Sequence, residues 1–340
     1  MSSEHHKLRY WLLLKPDVSA AKGGVKQMHR LAEAFVKLGR HATLIQEEAS
    51  FHPGWFDSEV NTISEADWLR RSDLKPTTDV VVLPETYSGE CLGYAPDLPK
   101  IIFNQNGAYS FGVPESDLMH RPGGLLDLYI HPLIRHIFCV SEHDHALVST
   151  GFHAGIDRVS TIRNAIETDI FRPVGTKKKQ LCYMSRKNPR DALIVVEMLR
   201  RCEWFESWNV VPIKNQPLSR VAEIMNKSLV FLSFGHPEGF GLPVAEAMAS
   251  ACYVIGYSGL GGRELFGLGQ QWTTCHEIAV GDWLGFVKAV ERVHDSLQKD
   301  SASQIKLLLG CSNSTRKRYS HLALLNSLET ALRRIEGPAF

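Results

Sequence analysis

The chain has 340 residues, 44% hydrophobic and 22% charged, with a net charge of +1. That length predicts two domains rather than one core, and the balanced charge argues against nucleic acid as a partner. Seven cysteines, at 91, 139, 182, 202, 252, 275 and 311, are scattered without a C-x-x-C pair. This argues against a disulfide framework or a zinc site and for a reducing compartment. Met1–Lys7 has no apolar signal core, and no run approaches the ~18 apolar residues of a membrane span. A cytoplasmic protein is expected, with room for peripheral contact with a membrane face.

Arg9–Leu14 reads as the first strand. A glycine-bearing loop, Lys22-Gly23-Gly24-Val25, leads into a helix from Val25 to Leu38, which Gly39 closes. His41–Ile45 is the next strand. The full G-x-G-x-x-G fingerprint is missing, so a nicotinamide enzyme is disfavoured. Gly23 and Gly24 read equally well as a ligand loop or a bare tight turn. Residues 51–75 have no clear period. Asp79–Leu83 and Lys100–Phe103 are strands, ending in Pro84–Tyr87 and Asn104–Gly107. Strand C-termini face the ligand crevice of a doubly wound sheet, which makes Tyr87 and Asn106 candidate cleft or acceptor residues. An Asn before Gly also reads as a plain turn. Arg135–Val140 is a strand, a helix runs to about Thr150, and Arg158–Ile162 is another strand. His143, His145 and His153 do not converge as metal ligands, because neighbours on a helix point to different sides. Gly175–Lys179 reads as a polar linker with solvated lysines.

Gln180–Met184 is a strand, followed by Arg186 and Lys187. Ala192–Leu199 is a helix, and Asn209–Ile213 a strand that delivers Lys214 to a nucleobase or phosphate. Val221–Asn226 is a short helix leading to a buried strand, Leu229–Phe234. Next come His236-Pro237-Glu238-Gly239-Phe240-Gly241-Leu242-Pro243 and a run of good helix formers, Val244 to Ala249. Pro243 suits the first helical position. A strand, a glycine loop and a helix N-terminus together offer backbone N–H groups and a positive dipole end to an anion. Glu238 and Glu246 frame that loop. Two carboxylates only accept hydrogen bonds, so they fit a phosphate ligand with hydroxyls on both sides, as in a nucleotide-sugar. Each such charge-assisted bond contributes roughly 1.5–3 kcal/mol. The plain alternative is that Glu246 complements the helix dipole and Glu238 is solvated. Tyr253–Gly256 is a further strand, Gly259–Glu264 a second glycine loop, and about Thr315 to Ile335 a last amphipathic helix.

The segment Glu238–Glu246, followed by Gly261-Gly262-Arg263-Glu264, resembles the E-x7-E signature of retaining GT-B-fold glycosyltransferases, glycosyltransferase group 1, family 4. Asn164-Ala165-Ile166…Asp169…Phe171-Arg172-Pro173 is similar to that family's crossing into its second domain, with Ala165 where Gly is usual. The resemblance implies an α/β fold of two doubly wound, Rossmann-like domains facing a cleft. The implied boundaries are 1–172, 173–313, and 314–340 as a C-terminal helix packing back on the first domain. It also implies roles. Glu238 with the N–H groups of Phe240 and Gly241 holds the hexose. Glu246 holds the ribose. Arg186 and Lys187 meet the diphosphate, with Arg190 in reserve. Gly239, Leu242, Lys214 and Gly24 complete the donor site, and Gly23, Tyr87 and Asn106 line the cleft. Many relatives carry a His near the place of Asn106.

The implied activity is transfer of a hexose, glucose from UDP-glucose as first choice, to a hydroxyl of a glycan or lipid-linked acceptor. It proceeds with retention, in surface polysaccharide biosynthesis. The chain has no Asp-x-Asp, so no metal or other cofactor is expected. The rival readings are a sugar-nucleotide epimerase of the same fold and a non-catalytic nucleotide-binding scaffold.

Overall fold

The computed structural model describes residues 8–87, 89–111 and 126–337. Met1–Lys7, on which the reading of the N-terminus rests, lies outside the described residues. The chain divides into two compact units: Met1–Arg163 with Leu324–Phe340, and Asn164–Ala323.

In the first unit the elements run β1 (Arg9–Leu13), α1 (Gly23–Lys37), β2 (His41–Gln46), β3 (Thr62–Ser64), α2 (Glu65–Leu69), β4 (Asp79–Pro84), β5 (Lys100–Asn104), α3 (Asp127–Ile130), β6 (Ile134–Cys139), α4 (Glu142–Ala146) and β7 (Val159–Thr161). The strands form one parallel sheet in the order β3-β2-β1-β4-β5-β6-β7. Val80–Leu83 and Ile101–Phe103 are buried on both faces, as parallel strands between helices must be. Asp79 anchors the start of β4. Its buried carboxylate accepts from Trp11 Nε1 at 2.7 Å and pairs with Arg9 Nε at 2.7 Å, which locks β4 to β1. A buried charge held this way is satisfied on several sides.

In the second unit the elements are β8 (Lys178–Met184), α5 (Pro189–Arg200), β9 (Asn209–Pro212), α6 (Leu218–Lys227), β10 (Ser228–Ser233), α7 (Leu242–Ala249), β11 (Tyr253–Gly256), α8 (Arg263–Gln270), β12 (Cys275–Glu277) and α9 (Trp283–Arg318). Its sheet is also parallel, ordered β12-β11-β10-β8-β9. Both sheets wind outward from a central pair, which is the doubly wound pattern. The last helix, α10 (His321–Ile335), returns to the first unit from Leu324 onward. There Glu336 accepts from Tyr10 Oη at 2.9 Å and pairs with Arg40 at 2.7 Å.

Four expectations are corrected. The units divide at Arg163/Asn164 and Ala323/Leu324, not at 172/173 and 313/314. The terminal helix is not continuous from Thr315, because α9 ends at Arg318 and α10 begins at His321. Gly23 and Gly24 form the first turn of α1 rather than a free loop. Lys177 is not solvated, since its Nζ donates to the carbonyls of Met225 (3.0 Å) and Ser228 (2.7 Å) at the C-terminal end of α6. Cations favour a helix C-terminus, and a sequence pattern does not reveal which helix end lies nearby. Among the described residues no helix is long and apolar enough to cross a membrane.

Candidate active site

In the second sheet the chain builds β8, then β9 on one side, then β10 on the other. The turning point lies between β8 and β10, and in open α/β sheets ligands bind at the C-terminal ends of the strands at such a point. Strand β8 delivers Arg186 and Lys187 there, and β10 delivers the Gly235–Gly241 loop. Lys187 Nζ pairs with Glu238 Oε1 at 3.1 Å and donates to the carbonyl of Pro237. The lysine and the carboxylate are 51 residues apart in sequence. They are predicted partners of one site, and the fold brings them into contact.

Two glycines make the loop possible. Gly241 sits at φ +91°, ψ 57°, a left-handed conformation that costs glycine little, and it turns the chain into α7 with no side-chain cap on the helix. Pro243 is the second helical residue, one later than predicted. Gly261 is needed for close approach, because a Cβ there would lie 1.8 Å from the carbonyl oxygen of Gly239. This contact allows the loop after β11 to pair with the motif loop. Glu238 N–H donates to the Gly259 carbonyl at 2.7 Å, and Gly261 N–H donates to the Glu238 carbonyl at 3.0 Å. The backbone of Glu238 is thus held on both sides, which fixes where its carboxylate starts.

The other predicted residues fall into place unevenly. Gly239 and Phe240 are buried in the loop, and the Phe240 ring packs edge-on against Tyr319 at 5.0 Å. Leu242 is half-buried at the start of α7. Glu246, in the second turn of α7, is 4% exposed. Arg186 is exposed beside Lys187, and Lys214 is exposed just past β9. In the first unit, Gly23, Gly24, Tyr87 and Asn106 lie at the C-terminal edge of that unit's own sheet. There a Cβ on Gly24 would meet Gln105 Oε1 at 3.2 Å. Tyr87 packs partly against the first unit's core, and burial raises its hydroxyl pKa. Asn106 is 7% exposed and its Oδ1 accepts from Ala108 N–H at 3.2 Å. That is the turn-forming role that an Asn before Gly suggests. Among the described residues no group of three or more His, Cys, Asp or Glu side chains gathers as a metal site would.

Sequence reasoning missed Asn188. It adopts φ 51°, ψ 52°, and its amide donates to the carbonyls of Phe234 (2.8 Å) and His236 (3.1 Å). It therefore ties the turn carrying Lys187 to the loop carrying Glu238. Asn enters the left-handed region more readily than other non-glycine residues, and that is the one local signal that could have flagged it.

No protein-family model matches this chain. Over 134 residues it is 28% identical to an alpha-1,6-glucosyltransferase of Actinobacillus pleuropneumoniae serotype 7. The matched stretch spans 38% of this chain and 38% of that enzyme. Solved structures cover far more. Sucrose-phosphate synthase from Thermosynechococcus elongatus superposes with a TM-score of 0.70 at 15% identity, over 97% of this chain and 99% of that one. Anabaena HepE in complex with UDP-glucose gives 0.69 at 10% identity, over 96% and 99%. The catalytic domain of starch synthase IV from Arabidopsis thaliana, bound to ADP and acarbose, gives 0.64 at 13% identity, over 97% and 100%. The chain has the fold of the GT-B glycosyltransferases.

Proposed function

We propose that this chain is a glycosyltransferase that takes a hexose from a nucleotide-diphosphate sugar, UDP-glucose as first choice. The acceptor is a hydroxyl of a glycan or lipid-linked sugar, and the anomeric configuration is retained. The observation that carries the reading is the Lys187–Glu238 pair beside a glycine-laced loop, at the turning point of the second sheet. Two likenesses support it: a glucosyltransferase among sequence relatives and UDP-glucose on a structural neighbour.

In the reaction the anomeric C–O bond to the diphosphate breaks and its electron pair leaves with the diphosphate. The acceptor oxygen bonds to the anomeric carbon, and its proton passes to a donor phosphate oxygen. Positive groups already in place stabilise the growing charge, usually the largest catalytic contribution. Arg186 offers a planar fork and Lys187 a compact charge, so no metal is required in this scheme. Lys187 also neutralises Glu238, which lets a carboxylate stand near a diphosphate without repelling it. Glu238 accepts from hexose hydroxyls and Glu246 from the ribose. Surface polysaccharide assembly is the setting in which such a transfer fits.

The test is incubation with a panel of nucleotide-sugars, with and without sugar acceptors, following free nucleotide. The expected result is acceptor-dependent nucleotide release, greatest with UDP-glucose. Interconversion of the sugar without an acceptor would identify an epimerase. Binding without release would identify a scaffold.

A further inference from the structure

Tyr319 is fully buried at the C-terminal end of α9, and it touches four separate parts of the second unit. Its hydroxyl donates to Glu264 Oε1 at 2.8 Å. Its ring meets Phe240 of the motif loop at 5.0 Å and 65°. Its carbonyl accepts from Ile166 N–H at 3.0 Å, and its N–H donates to Thr315 of α9 at 3.0 Å. The chain enters this unit at Asn164 and leaves it at Ala323. The two crossing segments are therefore bonded to each other at Ile166 and Tyr319. The same tyrosine grips both loops of the candidate site.

A core tyrosine needs a partner for its hydroxyl, and any acceptor would serve. This one uses the carboxylate of Glu264, in the first turn of α8 just after Gly261 and Gly262. Gly261 in turn donates to the Glu238 carbonyl at 3.0 Å. A short chain of contacts thus runs from the segment leaving the unit, through Tyr319 and Glu264, to the backbone of Glu238. A second path runs through the Phe240 ring. We propose that Tyr319 is a positioning residue for sugar transfer. It sets the two glycine loops in register and ties them to the crossing segments. This inference rests on the transferase reading of the site.

The test is a double-mutant cycle on Tyr319 and Glu264, with two readouts. Tyr319→Phe keeps the ring and removes the hydroxyl. It should lower kcat about tenfold, the effect of one charge-assisted hydrogen bond, while KM for the donor changes less than about twofold. Without any ligand, it should also speed amide exchange in peptides covering 236–242 and 258–264. Glu264→Gln keeps an acceptor oxygen and should retain most of the turnover. Tyr319→Phe with Glu264→Ala should be no worse than Glu264→Ala. If Tyr319→Phe is unstable, Glu264→Ala must give the same exchange signature with the ring intact.

Unchanged exchange in both loops overturns the proposal, whatever the activity. Unchanged kcat in an active enzyme, or losses that add, overturn it as well. A wild-type protein that turns over no nucleotide-sugar defeats the transferase reading instead, and the exchange result then judges the tie by itself.

Discussion

At the turning point of the first sheet, between β1 and β4, the carboxylate of Glu85 is 3% exposed. At the turning point of the second, the Glu238 side chain is 25% exposed and pairs with a lysine. The two edges share a topology and use their acids in opposite ways. Glu85 accepts from Gln105 N–H at 2.9 Å, and buried Asp144 accepts from Gly107 N–H at 3.0 Å. Both carboxylates grip the turn that carries Asn106. Burial pushes Glu85 up to about 7 against the pull of the Gln105 N–H, with Asp144 adding to the rise. Burial raises Asp144 as well, against hydrogen bonds from His143 and Gly107. In the first unit, then, acids hold the protein's own backbone. In the second, backbone bonds hold the peptide of Glu238, and its carboxylate pairs with Lys187. The two edges differ in the partners of their charges.

The sharpest way to break this comparison is Glu238→Ala. It should cut turnover by about 10²–10³ while leaving UDP affinity within about twofold. Activity assays and calorimetry read both, and an equal loss of UDP affinity would refute the assignment to the hexose. Next is Gly261→Ala, whose new methyl collides with the Gly239 carbonyl. It should destabilise by about 3 kcal/mol in urea unfolding. Gly24→Ala in the first unit meets only the end of the Gln105 side chain, and it should stay within about 0.5 kcal/mol of wild type. Similar costs at the two glycines would erase the distinction between the edges.

Glu246→Ala should weaken UDP by roughly 1.5–3 kcal/mol in calorimetry, and unchanged affinity would remove the ribose contact. The effect at Glu85 depends on pH. Unfolded, it titrates near about 4.3; folded, near 7. Between those values the folded chain binds more protons, so this contribution to stability is complete below the lower value and is lost as pH rises through 7. Glu85→Gln cannot ionise. It should exceed wild type in stability at pH 8 by up to ~3 kcal/mol, with the gap closing toward about pH 4. A gap independent of pH would show that Glu85 does not titrate there.

Much of this was legible in the residues. The apolar run Leu229–Phe234 announced a buried parallel strand, because a strand covered on both faces needs no polar alternation, and Asp79–Leu83 announced a strand. Gly241 and Pro243 marked the strand–loop–helix turn, because each meets a local backbone demand. Gly23-Gly24 misled for the same reason: glycine permits a loop without requiring one, and tertiary packing placed it in a helix.

What no local pattern carried were contacts made across the fold. The reach of Asn188 to the carbonyls of Phe234 and His236, the approach of Gly261 to Gly239, the bond from Lys177 to Met225 and the grip of Tyr319 on Glu264 each join distant segments. The sequence by itself determined the alternation of strand and helix and the chemistry available at one loop, since both depend on neighbours along the chain. Only the tertiary structure decided which charges are buried, which are paired, and which loops touch. Those outcomes depend on how two sheets wind and pack, and residues far apart in the chain share in them.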